Sequence, residues 1–395
     1  MTARTTATTA DQFMRIDTVL VKVASRCNIN CTYCYVYNMG DDGWQDMPAL
    51  ISRETITALA DAIKEFASQQ DQLFATVLHG GEPLMMGARR LEFLLTALRD
   101  SLPARYPISM QTNGMLLTPE IADLCSRFKV SVSVSLDGPK PVNDRFRLGK
   151  KGESTHDSVV AGINVLRSHS DSEFLYAGLL SVIDPVCDPK AVYEYFKELG
   201  APSIDFLYRD GNHSNMPYGK ESFESSEYGD WLSCLLDVYL ADPNPPRVRF
   251  LDDIIKLSLG GHGIKEGLGD AEYGIAIVET DGTISKNDTL KSSFNGADKF
   301  TEAWSVKASK LADVFGSVEF KMYHDLQRPT SATCKACPYL RVCGGGMPLH
   351  RWRSGAEYDN PSVYCNDQKA LISKVASRLQ NEGLKIDPRI AIQSA

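Results

Sequence analysis

The period of apolar positions changes along this chain, and the changes mark out its elements. Thr18–Ser25 (TVLVKVAS) is a short β-branched run of strand type. Glu54–Ala67 then places Ile56, Leu59, Ala60, Ile63, Phe66 and Ala67 on one helical face, with Ser52 as the N-cap. Strand patterns follow at Leu73–Leu78, Ile108–Thr112, Val130–Leu136, Phe174–Val182 and Ser203–Tyr208. Helical patterns at Arg89–Arg99, Pro119–Phe128, His156–His169 and Pro189–Leu199 separate them. Six strands joined by single helices predict right-handed β-α-β units, a parallel sheet and an α/β fold of partial (β/α)6 barrel type. Chemistry is then expected on the loops at the strand C-termini. After a Gly/Asn/Ser/Pro-rich loop over Asp210–Ser226, helices are expected at Tyr228–Leu240 and Arg249–Leu259, then a Gly-rich run over Gly260–Gly274.

Composition permits this picture without adding to it. The chain has 395 residues, 43% hydrophobic and 23% charged, as suits a soluble globular protein. A net charge of -8 and a pI near 5.5 argue against a nucleic-acid surface. There is no signal-peptide pattern and no apolar run long enough to span a bilayer, so a cytoplasmic location without membrane attachment is expected. Ten cysteines in such a chain point to metal or catalysis rather than disulfides. Seven fall into two groups; Cys125, Cys187 and Cys234 stand alone and read as structural thiols.

The first group is Cys27-Asn-Ile-Asn-Cys31-Thr-Tyr33-Cys34, a C-x3-C-x2-C spacing with an aromatic residue before the last cysteine. Three thiolates so close can hold three irons of a cubane cluster and leave the fourth open to a ligand. Zinc normally takes four protein ligands in a structural site. Further along, His79-Gly80-Gly81-Glu82-Pro83, Gln111-Thr112-Asn113-Gly114 and Ser135-Leu136-Asp137-Gly138 follow successive predicted strands, with Arg145 and Arg147 after them. Paired glycines let backbone approach a small ligand, and Glu82 can meet an ammonium group.

This order of motifs, over roughly Thr18–Tyr208, resembles the radical S-adenosylmethionine (SAM) superfamily. The resemblance implies that Cys27, Cys31 and Cys34 ligate a SAM-binding [4Fe–4S] cluster. It places Tyr33 near the adenine, Gly80, Gly81 and Glu82 at the methionine amino group, and Gln111, Asn113 and Ser135 along the ribose. Arg147 holds the carboxylate, with Arg145 an equally basic neighbour. SAM is then cleaved reductively to a 5′-deoxyadenosyl radical that takes hydrogen from an unactivated carbon.

The second group is Cys334-x2-Cys337-x5-Cys343, then Cys365. Four thiolates make a closed site for zinc or for a fully ligated iron–sulfur cluster. The region resembles the SPASM extension of peptide-modifying radical SAM enzymes, a small cysteine-rich α+β (twitch-like) unit whose pattern is C-x9–15-G-x4-C, then C-x2-C-x5-C-x3-C, then a last C. Here Gly282 matches the pattern's glycine, while Tyr273, Asn287 and Met347 stand at expected cysteine positions. The absent cysteines are those the family assigns to its first auxiliary cluster. One auxiliary [4Fe–4S] cluster on Cys334, Cys337, Cys343 and Cys365 is therefore implied, two clusters in all. Asp288 follows Asn287 directly, and in related sulfatase-maturing enzymes a carboxylate there is the catalytic base.

Longer stretches, among them CNINCTYCYVYNMGDDGW, LHGGEPLMMG and VETDGTISKNDTLKSS, look like the Fxs-type cyclophane-forming (triceptide) maturases of ribosomal peptides. That resemblance implies abstraction of a β-hydrogen from a precursor peptide and closure onto an aromatic ring, with Asp288 taking the proton. Its partners would be the precursor peptide and a reductant such as flavodoxin or ferredoxin. Formylglycine formation and thioether or ether crosslinking are the alternative oxidations, and a non-catalytic iron–sulfur or zinc scaffold is the distant one. The organisation expected is a flexible N-terminus (1–15), the barrel (16–215), bridging helices (216–270), the auxiliary-cluster unit (271–380) and a tail (381–395).

Overall fold

A computed structural model of the chain describes residues 14–270 and 272–390. The terminal segments expected over 1–15 and 381–395 thus fall partly outside the described residues.

The predicted alternation is present. The strands and helices are β1 (Thr18–Ala24), β2 (Ile29–Cys31), α1 (Arg53–Ala67), β3 (Ala75–Gly80), α2 (Ala88–Ser101) and β4 (Ile108–Thr112). They continue with α3 (Pro119–Arg127), β5 (Val130–Ser135), β6 (Arg147–Gly149), α4 (His156–Arg167), β7 (Tyr176–Val182), α5 (Pro189–Glu198) and β8 (Ser203–Leu207). β1, β3, β4, β5, β7 and β8 lie side by side and parallel, and one long helix lies in each connection. β7 starts two residues later than the sequence pattern suggests, because Ser172–Leu175 close a helical turn first.

Helix α1 shows how the sequence sets an element. Ser52 Oγ accepts the Thr55 N–H at 3.0 Å, and Ile56, Leu59, Ile63 and Phe66 are buried against the sheet. Removing that cap leaves an N–H of the first turn unpaired. Ser52→Ala is expected to cost about 1 kcal/mol, read as a lower urea midpoint with an unchanged slope.

The sheet does not stop at six strands. α6 (Glu227–Ala241) leads to β9 (Arg247–Val248), which pairs parallel to β8, and α7 (Arg249–Ser258) follows. At the opposite edge β10 (Ile275–Val278) runs parallel to β1, with β11 (Ile284–Ser285) antiparallel beyond it. The cysteine-rich extension is therefore continuous with the barrel sheet. It goes on through α8 (Val318–Asp325) and ends in α9 (Cys365–Asn381), which packs on α6. Gly229 of α6 makes that approach possible, since a Cβ there would lie 2.4 Å from Asp367 O. Asp367 in turn accepts the Tyr228 and Gly229 N–H groups at 2.9 and 3.0 Å, capping α6 from α9, and pairs with buried Lys220 at 2.7 Å.

Candidate functional site

A cavity of about 580 Å³ opens at the C-terminal ends of β3, β4, β5, β7 and β8. Cys27, Cys31 and Cys34 line it, on the loop that leaves β1. The short antiparallel ribbon of β2 and β6 sets Cys31 directly opposite Arg147. Sequence periodicity gave no sign of this ribbon. It also separates the two arginines: Arg147 lines the cavity, while Arg145 turns away to Asp184 (2.9 Å) and Tyr218 (2.8 Å).

All the residues read from the sequence as SAM contacts meet on this wall. Gly81 has no room for a side chain, because a Cβ would sit 2.0 Å from Tyr37 Oη and 2.3 Å from Arg26 O. Glu82 is fully buried and accepts bonds from Thr112 Oγ1 (2.6 Å), Asn113 N (2.7 Å) and Leu84 N (3.0 Å). Burial raises its pKa against the pull of those donors. Glu82 thus braces the loop, and half-buried Gly81 is what bares backbone to the cavity. Gln111 Nε2 donates to Ser135 Oγ (2.8 Å) and Asn113 Nδ2 to Asn28 Oδ1 (2.7 Å). Tyr33 Oη donates to Asp137 (2.7 Å) and accepts from Arg147 Nη1 (2.8 Å).

The three thiols fit a cluster. None is in a disulfide, and burial pushes Cys27 up to about 11 and Cys34 to about 12, so only a bound metal would hold them as thiolates. Arg147 Nε is buried beside them with no hydrogen-bond partner among the described residues, a donor left for an anionic ligand. Cys334, Cys337, Cys343 and Cys365 meet around a second cavity of about 20 Å³. Among the described residues, the only three potential ligand atoms of Cys, His, Asp or Glu mutually within 4.8 Å belong to Glu279, Asp288 and Asp298. The sulfurs of either group are thus spread wider than the roughly 3.8 Å edge of a zinc tetrathiolate. That spread suits a multi-iron cluster better than a single ion. Between the two sites Tyr208, which lines the large cavity, stacks on Tyr364 at 4.3 Å, and Cys365 is the next residue.

Asp288 lines neither cavity. It is 2% exposed, and its Oδ1 stands 2.7 Å from Lys22 Nζ, a close ion pair without hydrogen-bond alignment. Lys22 also donates to Glu279 Oε1 at 2.8 Å, and Lys291 links Glu279 to Asp298 and Asp41. Thr289 and His79 are the neighbours of this nest that reach the cavity. Of the three positions where cysteines were expected, Met347 lines the cavity, Asn287 lies just behind it, and Tyr273 is held elsewhere by Gln327. Sequence reasoning passed over four acidic residues of the lining, Asp205, Asp210, Asp253 and Glu266; burial pushes Asp210 and Glu266 each up to about 7.

Residues 21–183 match the Radical SAM superfamily model. The chain is 22% identical to a cysteine-type anaerobic sulfatase-maturating enzyme of Clostridium novyi over 93% of its own length and 97% of that protein. It is 25% identical to a serine-type anaerobic sulfatase-maturating enzyme of Bacteroides thetaiotaomicron, over 89% and 87% of the two chains. The solved structure described as native anSMEcpe with bound AdoMet and Kp18Cys peptide superposes with a TM-score of 0.77 at 20% identity, covering 93% of this chain and 99% of that one. The α/β fold with its mostly parallel sheet is thereby shared along nearly the whole chain.

Proposed function

We propose that this chain is a radical SAM enzyme of oxidoreductase type, with SAM and [4Fe–4S] clusters as its cofactor set, that oxidises one residue of a peptide substrate at its Cβ. One observation carries the reading: the three thiols and the eight expected SAM contacts line a single cavity, and exposed Arg247 and Arg249 belong to the same lining. The cavity thus reaches the surface beside β9, where a chain can enter. Its volume lies within the range of small-ligand pockets.

In this reading Cys27, Cys31 and Cys34 hold the SAM-binding cluster, and Tyr33, Gly80, Gly81, Glu82, Gln111, Asn113, Ser135 and Arg147 surround the SAM. Bound there, the cofactors supply an abstractor of hydrogen atoms from unactivated carbon. Cys334, Cys337, Cys343 and Cys365 hold the auxiliary cluster. The chain's own work is orientation and protection: Arg147, fixed by Tyr33 and Asp137, presents a donor to the SAM carboxylate, and the loop braced by Glu82 keeps its backbone in place. A carboxylate on the Asn287 side takes the proton that the oxidation releases. Asp288 is the sequence-based candidate for it. A low-potential reductant of flavodoxin or ferredoxin type completes the system. Ten free cysteines suit a reducing, cytoplasmic compartment, and no helix among the described residues is long and apolar enough to cross a membrane.

The likeness to cysteine- and serine-type maturases favours formylglycine as the product. A second reading, closure of the peptide onto an aromatic ring, is favoured by Asn287 and Met347, which stand at positions where the SPASM pattern expects cysteine. The test is mass spectrometry of serine- or cysteine-containing and aromatic-containing peptides after turnover with the reconstituted enzyme. A new aldehyde captured by a hydrazide supports formylglycine. Loss of two hydrogens without an aldehyde, and with fragmentation suppressed across an aromatic segment, supports the crosslink. No 5′-deoxyadenosine with any peptide overturns the reading.

A further inference from the structure

The oxidation proposed above must shed a proton, and the inference that follows rests on that reading. Glu266 lies in the glycine-rich run and lines the large cavity close to Met347 and Thr289. Its Oε1 accepts a 2.7 Å bond from Asn287 Nδ2. The Asn287 amide is fixed in that sense, because its Oδ1 already accepts from Thr289 N (3.0 Å) and Thr289 Oγ1 (2.9 Å). A flipped amide would lose the bonds to Glu266 and to Thr289 N.

The loop behind the carboxylate is anchored as well. Asp253 Oδ2 accepts the Ile264 and Lys265 N–H groups at 2.8 and 2.7 Å, and the Lys265 ammonium is committed to Asp205 at 2.7 and 2.8 Å. Gly267, with φ of 77°, lets the chain pass Met347, whose Cγ would lie 2.9 Å from any Cβ there. Glu266 therefore presents one oxygen committed to Asn287 and a second with no chain donor among the described residues. Asp288, by contrast, is behind the wall with Lys22 beside it.

We propose that Glu266 is the proton acceptor of the oxidation, held ready by Asn287. The step is redox-neutral. An O–H, S–H or ring C–H bond of the substrate residue breaks, its electron pair stays with the substrate, and the proton joins Glu266 to give a neutral acid. The electron that the oxidation also releases goes to a one-electron acceptor of the iron–sulfur class. Lys265 and Tyr273 on its own loop and Tyr323 on α8 are the titratable groups that sense Glu266. Burial lifts its pKa to about 7, against the Asn287 N–H and the Lys265 charge. A base works only when ionised, so product formation rises with pH through that value and then levels off.

The experiment compares wild type, Glu266→Gln, Glu266→Asp, Asp288→Asn and Asp210→Asn, all reconstituted with both clusters and given a Cβ-deuterated peptide that the wild type converts. Gln keeps an acceptor for Asn287. Glu266→Gln is expected to transfer deuterium into 5′-deoxyadenosine within about twofold of wild type while product falls at least about 100-fold and the rising pH limb disappears. Glu266→Asp is expected to restore part of the product and the limb, at a shifted pH. Unchanged product and pH profile in Glu266→Gln overturn the proposal, as does a limb lost only in Asp288→Asn or Asp210→Asn. A Glu266→Gln protein that fails to cleave SAM, with Glu266→Asp equally dead, also overturns it, since the residue would then be structural. A wild type that releases 5′-deoxyadenosine but converts none of the peptides offered refutes the functional reading instead.

Discussion

Cys31→Ala is expected to abolish SAM cleavage, by at least about 10³-fold or roughly 4 kcal/mol of barrier. Cys31 is the most buried of the three cavity thiols and the only one carried by a strand. Its backbone is paired to Arg147 through the β2–β6 ribbon, so the sulfur has little freedom to be replaced by a neighbour or by water. Two sulfurs hold a cubane poorly, and the iron that SAM would meet is no longer defined. Iron after anaerobic reconstitution should drop from about eight atoms per chain to about four, because the four-cysteine site lies elsewhere. Iron analysis, absorbance and 5′-deoxyadenosine release check this. A variant that keeps eight irons and cleaves SAM would remove the triplet from the proposed chemistry.

The second large effect concerns stability. Lys22→Met is expected to cost about 3–5 kcal/mol, seen as a urea midpoint lower by about 1–2 M. Lys22 sits in β1 at 4% exposure, between Glu279 at 2.8 Å and Asp288 at 2.7 Å. Removing it strands two buried carboxylates, and the cost is mainly theirs. Adding Glu279→Gln and Asp288→Asn to Lys22→Met should recover much of the loss. The sign with pH follows from the ammonium. Burial alone would lower its pKa, yet Asp288 and Glu279 carry it well above the ordinary lysine value. A raised folded-state value means the contribution is fully present below the unfolded value near 10.4 and is lost as pH rises beyond it. The gap between wild type and Lys22→Met should therefore narrow in strong alkali, and narrow also towards acid pH, where the stranded Glu279 carboxyl, already raised by burial and no longer held down by Lys22, takes up a proton. A gap that widens from pH 9 into strong alkali would contradict this account.

Much of the barrel could be read from the chain because its elements are long and periodic. The β-branched run of β1, the apolar face of α1 and the N-cap at Ser52 appear in the structure nearly residue for residue. The triplet and the loops after β3, β4 and β5 were legible for another reason: strand C-termini must converge in such a fold, so motifs placed there must meet. What stayed hidden depends on long-range pairing. The β2 and β6 strands are three residues each, too short to show a period, yet they choose Arg147 over Arg145. Lys22 interrupts an apolar run without announcing that two acids from the extension will surround it. Glu266 carries no local signal at all, being a lone acid in a glycine-rich loop, and only the packing of Asn287 against it gives it a place.

The pairing of β10 with β1 carries a consequence for biosynthesis. Lys22 and Glu279, neighbours in the fold, are 257 residues apart in the chain. At about 5–20 residues per second, roughly 13–50 s of translation separate them. Through that interval the strand leading to the cysteine triplet has one unpaired edge and a buried-to-be lysine without its acids. Iron loading at the triplet should then be a late event, after the ribosome has released residues beyond 278, and chains stalled or truncated earlier should reach proteases before they reach cluster carriers.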